Sequence, residues 1–145
     1  MLVSAVAAGH GLVGVGLGDI GVFSTDHVLA SLQWRSGSSW LGLFRPWLTL
    51  TGTDQGSGYL GGGVGFDLPL TQHWIVAPSF GPVIYWQGDG LSLGEALEFR
   101  SRIEFDYRFN DGQRVGLSLA HISNGGLSHR NPGTQTAEID YWHPL

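Results

Sequence analysis

The stretch EFRSRIEFDYRF, residues 98–109, alternates between two kinds of side chain. Even-numbered positions are all charged, whereas odd-numbered positions are aromatic or aliphatic apart from Ser101. Because successive side chains of a β-strand point to opposite faces, this stretch predicts a strand with one charged face and one apolar face. In a soluble sheet the charged face meets water and the apolar face needs an opposing layer. In a membrane barrel the apolar face meets lipid and the polar face lines the lumen.

The composition favours the membrane alternative. Only 13% of the 145 residues are charged, about half the usual share of about 25%. The 24 Gly argue against a helical bundle, and no apolar run is long enough for a transmembrane helix. The absence of Cys excludes disulfides and Cys-based zinc sites. All seven cations are Arg, outnumbered by twelve acids, so nucleic acid is excluded as a partner.

Similar alternation recurs along the chain and predicts eight strands long enough to cross a bilayer at a tilt. We therefore predict an all-β fold, an eight-stranded antiparallel up-and-down transmembrane β-barrel forming one domain over 1–145. Residues 1–6 lack the positive start of a secretory signal, so we expect the mature form of an exported protein. The predicted strands are 4–20, 26–35, 41–52, 57–68, 73–85, 97–109, 113–123 and 134–144.

The predicted strands lead to two further expectations. Aromatic residues near strand ends are expected to form an interfacial girdle, and opposite charges on the inward face are expected to pair. The girdle candidates are Trp34, Trp40, Trp47, Trp74, Tyr85, Trp86, Tyr107, Phe109 and Trp142. The expected lumenal pairs join Arg100, Arg102, Arg108 and Arg114 to Glu104, Asp106, Glu138 and Asp140.

Two other patterns carry little weight. Residues 16–21 match the dinucleotide fingerprint G-x-G-x-x-G, but the residues after them have the composition of a turn and a strand rather than of the helix that the motif requires. The histidines lack the spacing of metal ligands. The sequence therefore predicts neither a nucleotide site nor a metal site, and no cofactor.

The segment HISNGGL, residues 121–127, carries the candidate chemistry. His121 and Ser123 share one face of a strand, where an imidazole could accept the hydroxyl proton. That face is the apolar one, on which polar groups are costly unless they have a function. Residues 124–126 supply an amide side chain and backbone N–H groups, the parts of an oxyanion hole. Gln135 lies on the same face of the next strand and could orient His121. The alternative is a polar cluster where a strand enters a loop.

These motifs closely resemble the lipid A 3-O-deacylase (PagL-type, acyloxyacyl hydrolase) family. The resemblance implies an eight-stranded barrel of the Gram-negative outer membrane that hydrolyses the ester at the 3 position of lipid A in lipopolysaccharide. It implies Ser123 as the nucleophile and His121 as the general base. Asn124 and the Gly126 backbone would line the oxyanion hole, and Asn131 would support the loop. The matching segments are 97–105, 110–112, 115–117, 121–127 and 131–134, with Tyr141 and Pro144.

One position departs from the family pattern. Position 135, where the family has an orienting acid, is Gln in this chain. Glu138 has the wrong parity to replace it, and Ser101 stands where some relatives have an acid. An amide can hold the imidazole tautomer but cannot offset the imidazolium charge, so weakened activity is expected. The alternatives are a catalytically silent outer-membrane barrel with a structural or adhesive role and a soluble lipocalin-like binder. Homodimerisation stays open.

Overall fold

The computed structural model describes residues 10–22 and 27–145. This part of the chain forms nine β-strands, one of which has only two residues. No helix within it is long and apolar enough to cross a membrane. The strands are β1 (Leu12–Ile20), β2 (His27–Arg35), β3 (Arg45–Thr53), β4 (Gly58–Gly65), β5 (Leu68–Pro69), β6 (Trp74–Trp86), β7 (Leu97–Arg108), β8 (Arg114–Ser123) and β9 (Thr134–Pro144).

The strands close into a barrel. Sequence neighbours pair antiparallel, β1 pairs with β9, and β4 pairs with β6 to complete a ring of eight. The short β5 pairs with β6 only. Eight strands leave an interior just wide enough for side chains to fill. The predicted eight-stranded antiparallel barrel is therefore confirmed.

The predicted strand positions agree with the structure, with two differences. The third strand begins at Arg45 rather than at 41, because residues 40–44 form a hydrogen-bonded turn. The fourth ends at Gly65, and the chain then bends into β5. The predicted strand over residues 4–9 and the predicted start of the second strand at residue 26 lie outside the described residues.

Side-chain burial shows which way the strands face. In β7 the even-numbered charged residues from Glu98 to Asp106 are buried, whereas Ile103 and Phe105 on the other face are 53% and 45% exposed. The apolar face is therefore the exterior and the charged face is the interior, as in a membrane barrel. The lipocalin-like alternative is wrong, because it requires apolar residues to line the interior.

The interior is held by ion pairs and hydrogen bonds. Glu104 lies 2.7 Å from Arg35 and 2.7 Å from Arg102, and it accepts a hydrogen bond from Trp142 Nε1 at 2.6 Å. Arg102 also contacts Asp140 at 2.6 Å. Such pairing offsets the cost of removing charges from water.

Some members of the expected network and girdle lie elsewhere. Arg108 is outside the lumenal network and donates to the Gln72 carbonyl at 3.1 Å. The Arg100 guanidinium stacks 4.1 Å above the Trp47 ring.

Trp47, Tyr85 and Trp142 are buried inside the barrel, so assigning them to the girdle is wrong. Proximity to a strand end does not reveal on which face a side chain lies.

Candidate functional site

The candidate site lies on the exterior of the barrel at one end, which we call the site end. Loops 87–96 and 124–133 lie at this end, and the second of them joins β8 to β9. His121 and Gln135 are directly opposed partners of these two strands. Ser123, the last residue of β8, is half-buried on the same exterior face as the exposed His121. Antiparallel pairing thus brings together three side chains that the sequence separates by up to fourteen positions.

Gln135 contacts the imidazole of His121. Its Nε2 lies 3.0 Å from His121 Nδ1. In this orientation the amide donates to Nδ1, and the ring proton then sits on Nε2. With the amide rotated by half a turn, its oxygen accepts from Nδ1–H and leaves Nε2 free to act as a base. Within residues 10–22 and 27–145, no other group hydrogen-bonds to the Gln135 side chain, so these residues do not fix which way the amide is turned.

Ser123 lies two residues after His121 on the same face. Its cross-strand partner on β7 is Phe99, whereas that of His121 is Ser101. In the described part of the chain, no hydrogen bond joins the Ser123 hydroxyl to the ring of His121. Proton transfer needs an approach to about 3 Å, and catalytic hydrogen bonds often tighten only when substrate binds.

Gly133 bounds the other edge of the imidazole, a contact that sequence analysis missed. A Cβ at this position would lie 2.9 Å from His121 Cε1 and 3.3 Å from Nε2. Its φ of +63° is also one that L side chains rarely adopt. The only sequence signal was its place in the segment 131–134, which indicated no contact with the ring. Gly133 therefore leaves the room that the Cε1–Nε2 edge of the His121 ring occupies.

Asn124 organises the loop that comes after Ser123. Its buried side chain donates to the carbonyls of Leu93 at 3.1 Å and Arg130 at 2.7 Å, and its Oδ1 accepts from the Gly126 N–H at 3.0 Å. The Asn124 N–H donates to Asn131 Oδ1 at 3.0 Å. The donors expected to line an oxyanion hole are thus engaged within the loop.

The exterior wall next to the site is mainly apolar, and the exposed Asp19 of β1 lies opposite Ala137 of β9. Leu117, Leu119 and Ile139 are exposed on the same exterior face, towards the middle of the barrel. Glu138 points into the lumen, as its parity predicted, and accepts from Ser31 Oγ at 2.6 Å. Among the described residues, no group of three or more His, Cys, Asp or Glu side chains could hold a metal ion.

The comparisons with known proteins agree with this architecture. The curated lipid A deacylase PagL of Pseudomonas aeruginosa is 28% identical over 144 residues, covering 80% of each chain. The lipid A deacylase PagL of Bordetella bronchiseptica is 31% identical over 49 residues, covering 34% of this chain and 28% of that protein.

Solved structures share the fold. The crystal structure of the outer membrane enzyme PagL superposes with a TM-score of 0.73 at 22% identity, covering 92% of this chain and 99% of that one. A de novo designed transmembrane β-barrel gives a TM-score of 0.66 at 12% identity, covering 94% of this chain and 96% of that one. The family model described as lipid A 3-O-deacylase (PagL) matches residues 14–144. The chain belongs to the lipid A 3-O-deacylase (PagL) family.

Proposed function

We propose that the protein is an outer-membrane esterase that hydrolyses the ester at the 3 position of lipid A and releases a 3-hydroxy fatty acid. The observation that carries this proposal is the contact between His121 and Gln135 on the apolar exterior, beside Ser123. Polar groups placed among lipid-facing residues are costly and are usually functional.

The exterior position suits a substrate that is itself a membrane lipid. Leu117, Leu119 and Ile139 face the same surroundings as the site, so a lipid can diffuse to Ser123 within the bilayer. Its acyl ester then need not leave the membrane to reach the nucleophile. A site in the charged lumen would instead require the acyl chain to cross a layer of ion pairs.

In the proposed reaction, His121 Nε2 accepts the proton of Ser123 Oγ as the oxygen attacks the ester carbonyl. The tetrahedral intermediate collapses, the bond to the sugar oxygen breaks, and the imidazolium returns the proton to that oxygen. Water, deprotonated by His121, then attacks the acyl-Ser123 ester. The fatty acid departs and the Ser123 hydroxyl is restored.

Gln135 would act as a positioning residue for His121. Its oxygen can accept from Nδ1–H and orient the ring, but it carries no charge to stabilise the imidazolium. Because the amide can also donate to Nδ1, part of the population would hold the unproductive tautomer. We therefore expect a slow enzyme, and a catalytically silent barrel is the second candidate that the same amide favours.

We assign the oxyanion hole to the backbone N–H groups of Asn124 and Gly126, with Asn131 supporting the loop. Both N–H groups are engaged with side-chain oxygens of this loop. These N–H groups can bind the developing oxyanion only if they leave their present acceptors, or if they donate to the acceptor and the oxyanion together. The buried Asn124 side chain would keep the loop in place by its bonds to the carbonyls of Leu93 and Arg130.

The test is fatty-acid release from purified lipopolysaccharide by Ser123→Ala and His121→Ala, with folding checked by heat-modifiable migration on gels. Both variants should lose activity and stay folded. Ser101→Ala is the matched control, because it removes an exposed hydroxyl that faces His121 from β7, and it should keep activity. Full activity in Ser123→Ala would refute the assignment of the nucleophile. A folded native protein without any release would favour the silent barrel.

A further inference from the structure

The turn between β2 and β3 is tightly closed at the end of the barrel opposite the site, which we call the far end. Trp40 N donates to the Phe44 carbonyl at 2.6 Å, and Phe44 N donates to the Trp40 carbonyl at 2.9 Å. Leu41 and Gly42 within this turn have φ values of +54° and +71°. Positive φ at two successive central residues is typical of type I′ turns, which favour Asn-Gly.

Leu is therefore an unfavourable residue type for the backbone conformation at position 41. It is the one non-glycine residue with positive φ in residues 10–22 and 27–145, and Asn or Gly would adopt this conformation at less cost. Its side chain gains little from the rest of the protein, since it is 78% exposed, and Trp40 beside it is 65% exposed. A strained position that displays an apolar side chain suggests that something outside the chain covers it.

The apolar surface of this turn continues the exterior face of the barrel. Along β2 and β3 the outward residues Leu32, Trp34, Leu48 and Leu50 are all exposed and apolar. No charged residue lies between Arg35 and Arg45 in the sequence. The surface therefore runs without interruption by charge from the lipid-facing wall to the tip of the turn.

A second turn enlarges the same surface. The rings of Phe44 and Phe66 lie 5.0 Å apart and join the β2–β3 turn to the segment after β4. Leu68 and Leu70 in that segment are also exposed. By contrast, the turn between β7 and β8 carries Asn110 and Asp111 at the same end. The far end is thus apolar on one side of the barrel and polar on the other.

We propose that the turn formed by residues 40–44 is a membrane anchor that inserts into the headgroup and acyl boundary of the leaflet at the far end. Lipid is the occupant because the turn continues the lipid-facing wall and carries no charge. The backbone N–H and C=O groups of Trp40 and Phe44 at the base of the turn are also already paired with each other, so the turn offers little free strand edge to a protein partner. The anchor rests on the membrane location of the barrel and is independent of catalysis by Ser123.

Since the chain has no cysteine, single labels can measure depth in the membrane. Leu41→Cys and, as the matched control, Asp111→Cys would each carry a nitroxide in phosphatidylcholine vesicles. Collisions with apolar oxygen and with a water-soluble nickel chelate would be compared by power saturation. We expect nickel collisions to be several-fold lower at position 41 than at 111, with oxygen collisions higher. Equal nickel access at the two positions would overturn the anchor.

A second variant keeps the turn and removes its apolar tip. Leu41→Asn suits the positive φ, so folding should be preserved. A nitroxide attached at Leu43→Cys should be more accessible to the nickel chelate in the Leu41→Asn protein than in the protein that keeps Leu41. An unchanged depth would overturn the role of Leu41. Dipolar broadening between labels at position 41 would show a second copy of the chain on this surface and would likewise overturn the assignment to lipid.

Discussion

Gln135→Glu should convert the slow site into a faster one. A carboxylate accepts hydrogen bonds but cannot donate them, so it holds the proton of His121 on Nδ1 and leaves Nε2 as the base. It also places a negative charge beside the imidazolium that forms during attack. The present contact of 3.0 Å between Gln135 Nε2 and His121 Nδ1 shows that the substituted side chain reaches the ring without a backbone shift.

The size of the effect can be worked from this geometry. Opposite unit charges about 4 Å apart attract by about 4 kcal/mol at an effective dielectric constant of about 20. At about 1.36 kcal/mol per tenfold change in rate, this corresponds to nearly three powers of ten. The exposure of His121 reduces the gain, because water and headgroups screen the pair. We expect an increase of about 100-fold in kcat, at the lower end of the range that these values allow.

The assay is release of the 3-hydroxy fatty acid from lipid A in detergent micelles, quantified by mass spectrometry. Since Gln135 does not touch the substrate in the proposed reaction, kcat should rise while KM stays nearly constant. Gln72→Glu adds the same charge in an exposed turn at the far end and should have no effect. A gain below about tenfold in a folded Gln135→Glu barrel would refute the orienting role. Activity that persists in Ser123→Ala with Gln135→Glu would refute the nucleophile.

Three further predictions concern the ring, the lumen and the far end. Gly133→Ala should lower kcat at least tenfold, because its Cβ would displace the His121 ring and its positive φ would be strained. Glu104→Ala should destabilise the barrel by about 3–5 kcal/mol, measured by urea unfolding from lipid vesicles, because the buried Arg35 and Arg102 each lose a carboxylate partner at 2.7 Å. Burial alone would raise the pKa of Asp67, but Arg114 at 2.8 Å holds it below its ordinary value. The ion pair between Asp67 and Arg114 therefore stabilises the protein fully above the ordinary Asp pKa. This stabilisation is lost as pH falls through the lowered pKa of Asp67.

Each of these expectations has a contradicting result. Native kcat in Gly133→Ala would show that the ring does not depend on that space. An unfolding midpoint unchanged by Glu104→Ala would mean that water enters the lumen and solvates the arginines. For Asp67, the Asp67→Asn variant should lose part of the acid dependence of unfolding, and identical acid profiles for the two proteins would contradict the ion pair with Arg114.

The barrel and the strand faces of His121, Ser123 and Gln135 could be predicted from the sequence because they depend on local alternation. Residues 98–109 show the period of a strand and the separation of its faces without any knowledge of partners. The same parity placed His121 and Ser123 on one face, put Gln135 on the matching face of the next strand, and turned Glu138 inward. The scarcity of charge then indicated that the apolar face is the outside.

Closure and register, which bring distant residues together, were decided only by the tertiary structure. Pairing of β8 with β9 placed Gln135 directly opposite His121. Packing of loop 124–133 against loop 87–96 tied Asn124 to Leu93 and engaged the expected oxyanion donors. The contact of Gly133 with the His121 ring likewise depends on how the loop returns to β9. These contacts join residues that are far apart in the sequence or lie in loops. The alternation of side chains along a single strand therefore could not reveal them.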